Sequence, residues 1–154
     1  MSRKNFVSEY LPDDSLEKIA QSIGEIEKKT SGEIRVCLRK TRAFGEKNIS
    51  HREIAIKEFI KLGIDKTEQK TGVLIFVMFG ERKFEFIADE GINSKIHPGH
   101  WDKISIDVKD YFSKERYLDG ILYGLNSLSE VLIREFPIGR DDKNELSNEV
   151  VIQP

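Results

Sequence analysis

The sequence predicts an α/β fold, a three-layer α-β-α sandwich with a small central mixed sheet flanked by helices on both faces. Three observations carry that reading. Gly72-Val73-Leu74-Ile75-Phe76-Val77-Met78-Phe79 is an apolar run with no charge, as in a strand covered on both sides. Lys83-Phe84-Glu85-Phe86-Ile87-Ala88-Asp89 alternates polar and apolar residues, as in a half-exposed strand, and Gly80-Glu81 between the two reads as a two-residue hairpin turn. Apolar residues at helical spacing precede, separate and follow these strands. The order is helix, strand, helix, strand, strand, helix, helix, and the strand-helix-strand crossover makes the first two strands parallel.

Each element has its own signals. Asp13, Asp14 and Ser15, after Pro12, can cap a helix whose Leu16, Ile19, Ala20, Ile23 and Ile26 share one face. Thr30-Ser31-Gly32 stops it. Glu33 to Lys40 alternates with Ile34, Val36 and Leu38 inward, which predicts one wet face and a place near the sheet edge. Ser50 caps a second helix carrying Ile54, Phe59, Ile60 and Leu62, and Gly63 ends it. After the hairpin, Pro98 and Gly99 lead into a helix with Trp101, Ile104, Val108, Tyr111 and Phe112 inward. The last helix runs from about Leu118 to Phe136. Its Gly120 and Gly124, one turn apart, let another element come close, and Pro137 ends it.

The chain has 154 residues, and roughly 100–200 residues per domain makes it one domain. Residues 1–12 read as an N-terminal extension and 138–154 as a polar tail too poor in apolar residues to order. The formal net charge is -2, and setting aside the acidic tail leaves a body near neutrality. A nucleic-acid binder needs a basic excess, so that class is not expected. Cys37 is the only cysteine, the N-terminus has no apolar signal region, and no run approaches the ~20 apolar residues of a membrane helix. The expected location is cytoplasmic, without membrane insertion.

The topology sorts charge to two ends of the sheet. An antiparallel hairpin brings Asp89 and Glu90 back beside Gly72 and the Gly63-Ile64-Asp65-Lys66 loop. The parallel pair puts Glu33 at that end too. Asp65, Asp89, Glu90 and Glu33 are therefore candidate ligands for a divalent cation, since calcium takes six to eight oxygens from carboxylates, carbonyls and water. The alternative is solvated strand ends, because no Asp-x-Asp-x-Asp loop is present. The opposite end collects Arg39, Lys40, Arg42, Lys47, Arg82 and Lys83 beyond the carboxyl ends of the parallel strands, where open α/β sheets take ligands. These cations suit a phosphate or an acidic partner, or form a solvated rim.

Other motifs are weaker. Cys37 and Arg42 are one residue too close for a cysteine-phosphatase loop, and Val36 stands where that loop has histidine. An ordinary strand cysteine is the better reading. His97 and His100 have a spacing that zinc could use, but Pro98-Gly99 between them argues for a turn. Trp101 reads as core or as a lid over the acidic end.

Thr30-Ser31-Gly32-Glu33-Ile34-Arg35-Val36, Gly72-Val73-Leu74-Ile75-Phe76, Glu81-Arg82-Lys83 and Phe86-Ile87-Ala88-Asp89-Glu90-Gly91-Ile92 together resemble the TPM domain family. Trp101 and Tyr117-Leu118-Asp119-Gly120-Ile121 fit the same pattern. The likeness covers roughly 13–137 and is nearest to a bacterial branch whose hairpin ends in Ala-Asp-x-Gly-Ile. It implies a compact α/β sandwich and divalent-cation binding at acidic loops, here at Asp65, Asp89 and Glu90, with Glu33 at the margin. A plant relative associated with photosystem repair and acid phosphatase activity adds the expectation of weak phosphatase chemistry. The chain departs from many relatives in lacking the Gly-x-Gly-Leu-Glu form after the hairpin.

Three functions follow as expectations. The first is a small domain binding a divalent cation, calcium by preference, at the acidic loops. The second is a metal-assisted acid phosphatase, for which the sequence offers no clear nucleophile. The third is a module docking a protein partner through the basic rim or the tail.

Overall fold

The computed structural model describes residues 6–139 and 146–153. Its elements in chain order are α1 (Val7–Tyr10), α2 (Ser15–Glu27), β1 (Glu33–Arg39), α3 (His51–Lys61), β2 (Gly72–Met78), β3 (Lys83–Ala88), α4 (Glu90–Asn93), α5 (Pro98–Ser113), α6 (Tyr117–Glu135) and β4 (Val151–Gln153). The strands form one mixed sheet in the order β3-β2-β1-β4. β1 runs parallel to both neighbours, and β2 runs antiparallel to β3.

Alternation along the strands splits the core in two. Ile34, Val36, Leu38, Val73, Ile75 and Val77 pack with α2, α5 and α6 on one face. Cys37, Leu74, Phe76 and Met78 pack with Ile54, Ala55 and Phe59 of α3 on the other. Every residue of β2 is buried, which is why its sequence carries no polar alternation. On the first face, a Cβ at Gly120 would lie 2.8 Å from a Phe112 ring carbon, so α5 and α6 meet at a distance only glycine allows. Ser50 caps α3 by accepting the Glu53 N–H at 3.1 Å. Among the described residues no helix is long and apolar enough to cross a membrane.

Four expectations change. The hairpin is not closed by two residues: Met78 pairs with Lys83, and a 3-10 turn at Phe79–Glu81 fills the gap with Arg82 at φ 54°. The turn is anchored outside the hairpin, because Gly80 N–H donates to the Lys40 carbonyl at 2.7 Å. β1 is not near the edge and has no wet face; it lies between β2 and β4, with only Arg35 less than buried. Polar residues at alternate positions looked solvated, but they are partnered inside the protein. The tail, read as disordered, supplies the outer strand: Val151, Ile152 and Gln153 pair with Cys37, Leu38 and Arg39. Residues 140–145 and 154 of that tail lie outside the described residues. The N-terminal extension also joins the core, since Phe6, Val7 and Leu11 are buried and Tyr10 stacks on Phe79 with ring centroids 4.8 Å apart. Residues 1–5 lie outside the described residues.

Candidate functional site

The acidic end is built where β2 begins. Glu33 pairs with Gly72 across the parallel strands, and Asp89 N–H donates to the Gly72 carbonyl at 2.9 Å, so the hairpin returns Asp89 as the sequence implies. Gly63, at φ 72°, turns the chain out of α3 into a 3-10 turn, Ile64–Lys66, that carries Asp65. A Cβ on Gly72 would meet the Ile64 carbonyl at 2.6 Å, and one on Gly91 would meet the Gln69 and Lys70 carbonyls at 2.5 Å. The loop between α3 and β2, the start of β2 and α4 are therefore pressed together.

Asp89 caps α4: its Oδ1 accepts the Glu90 N–H at 2.8 Å. That leaves Oδ2, which is buried and accepts no hydrogen bond among the described residues, and Asp65 Oδ1 is in the same condition. A buried acceptor without a donor costs about 1–3 kcal/mol. Lys70, at φ 59°, donates from Nζ to the Asp65 backbone carbonyl at 3.0 Å, not to the carboxylate. Glu90 is exposed in the first turn of α4.

Glu33 is used differently. It is buried, and its Oε1 accepts the Leu146 N–H at 2.7 Å, holding the incoming tail. Glu27, overlooked in the sequence, stands close to it. Its Oε2 accepts the Ile34 N–H at 2.8 Å. Burial pushes the Glu27 carboxyl up to about 7, against the pull of the Ile34 N–H, and the Glu33 charge adds to the rise. Among the described residues no three His, Cys, Asp or Glu side chains group closely enough to hold an ion unaided. The four carboxylates singled out in the sequence thus divide. Asp65 and Asp89 border one compressed loop region with Glu90 at its surface, while Glu33 is committed to the tail.

The basic end is neutralised from within. Arg39 is buried, donating from Nη1 to Glu46 Oε1 at 2.5 Å and from Nη2 to Glu58 Oε1 at 2.6 Å. Burial alone would raise the Glu46 carboxyl. The hydrogen bonds from Arg39 and Ala43 N–H outweigh it and hold the carboxyl below the ordinary range. Arg42 donates from Nε to Glu81 Oε1 at 3.0 Å and from Nη1 to the Glu46 and Ile49 carbonyls. His51 Nε2 lies 2.8 Å from the same Glu81 oxygen. Lys40 pairs with Glu9 at 3.2 Å. Of the rim residues, Lys47, Arg82 and Lys83 belong to none of these clusters.

Glu58 was missed in the sequence, and His51, which reads there as standing alone in a helix's first turn, is partnered by Glu81. Glu58 had a signal: it is an acid within the inward stripe of Ile54, Ala55 and Phe59, where an unpaired charge could not survive. Cys37 is buried, and burial pushes its thiol up to about 12, so it offers no thiolate nucleophile near neutrality. His97 caps α5, its Nδ1 accepting the Gly99 N–H at 3.0 Å, which is the turn role that Pro98-Gly99 predicts.

Residues 7–131 match the family described as the TPM domain. No curated protein matches the chain. Among solved structures, the chain is similar to the BA42 protein of the psychrophilic bacterium Bizionia argentinensis. The two are 31% identical with a TM-score of 0.82, over 92% of this chain and 94% of that one. It also resembles the N-terminal domain of a P. gingivalis protein, with a TM-score of 0.67 at 17% identity over 82% of this chain and 79% of that one. The N-terminal domain of the cg2496 protein of Corynebacterium glutamicum gives 0.61 at 11% identity, over 85% and 78%. At these last two identities the likeness is one of fold alone.

Proposed function

This chain belongs to the TPM domain family, and from that premise we propose that it binds one divalent cation at its acidic loops, calcium by preference. Asp65 and Asp89 are the central ligands, and Glu90 contributes from the surface. One observation carries the reading: Asp65 Oδ1 and Asp89 Oδ2 are buried acceptors with no donor. Two charged carboxylates left in that state oppose folding, and a hard cation compensates both at once. The Gln69 and Lys70 carbonyls, packed against Gly91, add neutral oxygens of the kind calcium accepts. Two carboxylates with carbonyls and water make a calcium-like donor set; magnesium, which demands a tighter octahedron, suits it less. Glu33 falls outside the ligand set, because its carboxylate holds the tail.

Calorimetric titration of the purified chain with calcium chloride, and separately with magnesium chloride, tests this. The expected result is saturable calcium binding, weaker for magnesium, with amide shifts concentrated at 64–71 and 89–92. Asp65→Asn or Asp89→Asn should abolish the heat. Absence of saturable heat, or binding that survives both substitutions, overturns the proposal.

A further inference from the structure

A cavity lies next to the Asp89 cap, on the open edge of the sheet. Among the described residues β3 is the last strand on its side and pairs only with β2. Beside it is a cavity of ≈ 330 Å³ between the start of α3, β3, α4 and α5. That size is at the lower end of the roughly 300–1,000 Å³ typical of small-ligand pockets. Its aromatic wall is Phe86 and Trp101, with ring centroids 6.0 Å apart. Its charged lining is Arg52, Glu85 and Asp102.

The charges are unequal in their commitments. Arg52 donates from Nη1 to Glu85 Oε2 at 3.2 Å and reaches the Phe86 carbonyl at 3.5 Å. That pairing sets its charge against Glu85. Asp102 is exposed and, among the described residues, has no ion-pair partner. The cavity therefore keeps one net negative charge beside an indole. A carboxylate next to an aromatic wall favours an organic cation, which gains from the ring quadrupole as well as from the ion pair.

Beside the cavity the open edge is guarded against strand addition. The Phe86 carbonyl faces Arg52, and the Ala88 carbonyl accepts from Asn93 Nδ2 at 2.8 Å, so these two outward backbone acceptors are covered by side chains. The space beyond them fits a side chain or a small molecule better than a new strand. We propose that this cavity is a binding site for an alkylammonium or guanidinium group, held between Asp102 and the Phe86–Trp101 wall.

Trp101 is the only tryptophan in the chain, so it reports on its own site. The full chain, with EDTA present to silence the acidic loops, is titrated with N-acetyl-lysine methylamide while Trp101 fluorescence is followed. N-acetyl-norleucine methylamide, which lacks the ammonium, serves as the neutral analogue and sodium acetate as the anion. The expected result is a saturable change with the lysine derivative, none with the other two, and binding about tenfold weaker in Asp102→Asn, the loss of one hydrogen bond to a charged group. Asp102 is exposed, so that variant keeps the fold. A parallel arm with an extended lysine-containing peptide assigns the source: tighter binding than the free derivative points to a peptide side chain, and equal binding to a free amine. An equal response to the norleucine or acetate probe, no saturation, or an Asp102→Asn titration like the wild type overturns the proposal. Failure here leaves the cation reading of Asp65 and Asp89 intact, because the readout is taken without metal.

Discussion

The two ends of the sheet look symmetrical in sequence, one rich in acids and one in bases, but the structure treats them in opposite ways. At the basic end, the guanidiniums of Arg39 and Arg42 are met by carboxylates and carbonyls of the same chain, and one of those carboxylates, Glu58, is itself buried. At the acidic end, Asp65 and Asp89 each keep a buried oxygen with no donor among the described residues, and burial, with a smaller push from the Glu33 charge, raises the Glu27 carboxyl to about 7. Charge that is already satisfied works as a clamp, whereas charge left uncompensated is available to a ligand. The position rule for open α/β sheets favours the basic end, yet there, of the guanidinium that is clamped, one buried donor, Arg39 Nε, is unmatched among the described residues, whereas at the other end two separate carboxylates each leave an acceptor unmatched.

The sharpest way to break this contrast is at Arg39. Arg39→Met leaves Glu58 buried opposite an apolar side chain, and removing one partner of a buried pair costs about 3–5 kcal/mol. Urea unfolding should show that loss in the midpoint. Arg39→Met with Glu46→Leu and Glu58→Leu should recover most of it, because no buried charge is then left alone. A loss below about 1 kcal/mol, the scale of a surface pair, would show the basic end to be a solvated rim after all.

The acidic end predicts a smaller, ligand-dependent effect. Calcium at a hundred times its dissociation constant should stabilise the wild type by about 2.7 kcal/mol. Asp65→Asn and Asp89→Asn should lose that increment while costing little in EDTA, where each substitution keeps the shape of a half-buried side chain that has one oxygen without a donor among the described residues. Arg39→Met should keep the increment despite its lower baseline. If Arg39→Met erases the calcium effect and Asp89→Asn does not, the roles of the two ends are reversed.

How much of this was legible depends on which interactions leave a local pattern. The β2–β3 hairpin did, because a strand buried on both faces excludes charge from Val73 to Phe79 and a half-buried one alternates. Ser50 capping α3 and the close approach at Gly120 were legible for the same reason, each being set by residues within a turn of one another or by the absence of a side chain. The charges of β1 were not. Glu33, Arg35 and Arg39 alternate with apolar residues as solvated side chains do, and their partners Leu146, Glu149 and Glu58 are distant in sequence. β4 is only Val151–Gln153, too short for any period to show. Without that strand, β1 reads as an edge. With it, the wet face predicted for β1 becomes the second buried layer. The acidic end was half legible: the return of Asp89 to Gly72 follows from hairpin register, but the diversion of Glu33 to the tail depends on a segment with too few apolar residues to read as ordered.

The smallest expected effect separates the two ends by pH alone. Glu27 has its folded carboxyl raised by burial to about 7 from the ordinary 4.5, so its favourable contribution is fully present below the unfolded value and is lost as pH rises through the folded one. Stability should therefore fall between about pH 5 and pH 8 for this reason, and Glu27→Gln, which still offers an oxygen to the Ile34 N–H, should flatten that slope. Glu81 has the opposite sign. Burial would raise its carboxyl, but His51 and Arg42 outweigh burial and hold it below the ordinary range. Its contribution is present above the unfolded value and is lost as pH falls through the folded one, so it acts only on the acid side of about pH 4.5. Glu81→Gln should cost under about 1 kcal/mol at neutrality, as a partly exposed pair, and nothing once the wild-type carboxyl is protonated. In stability curves from pH 3 to pH 8 by denaturant midpoint, Glu81→Gln should run below wild type at neutrality and converge with it on the acid side of about pH 4.5, whereas Glu27→Gln should run with wild type there and rise above it between about pH 5 and pH 8. Differences of the same sign in both variants at neutral pH would mean that the acidic and basic ends do not differ in how their charge is satisfied.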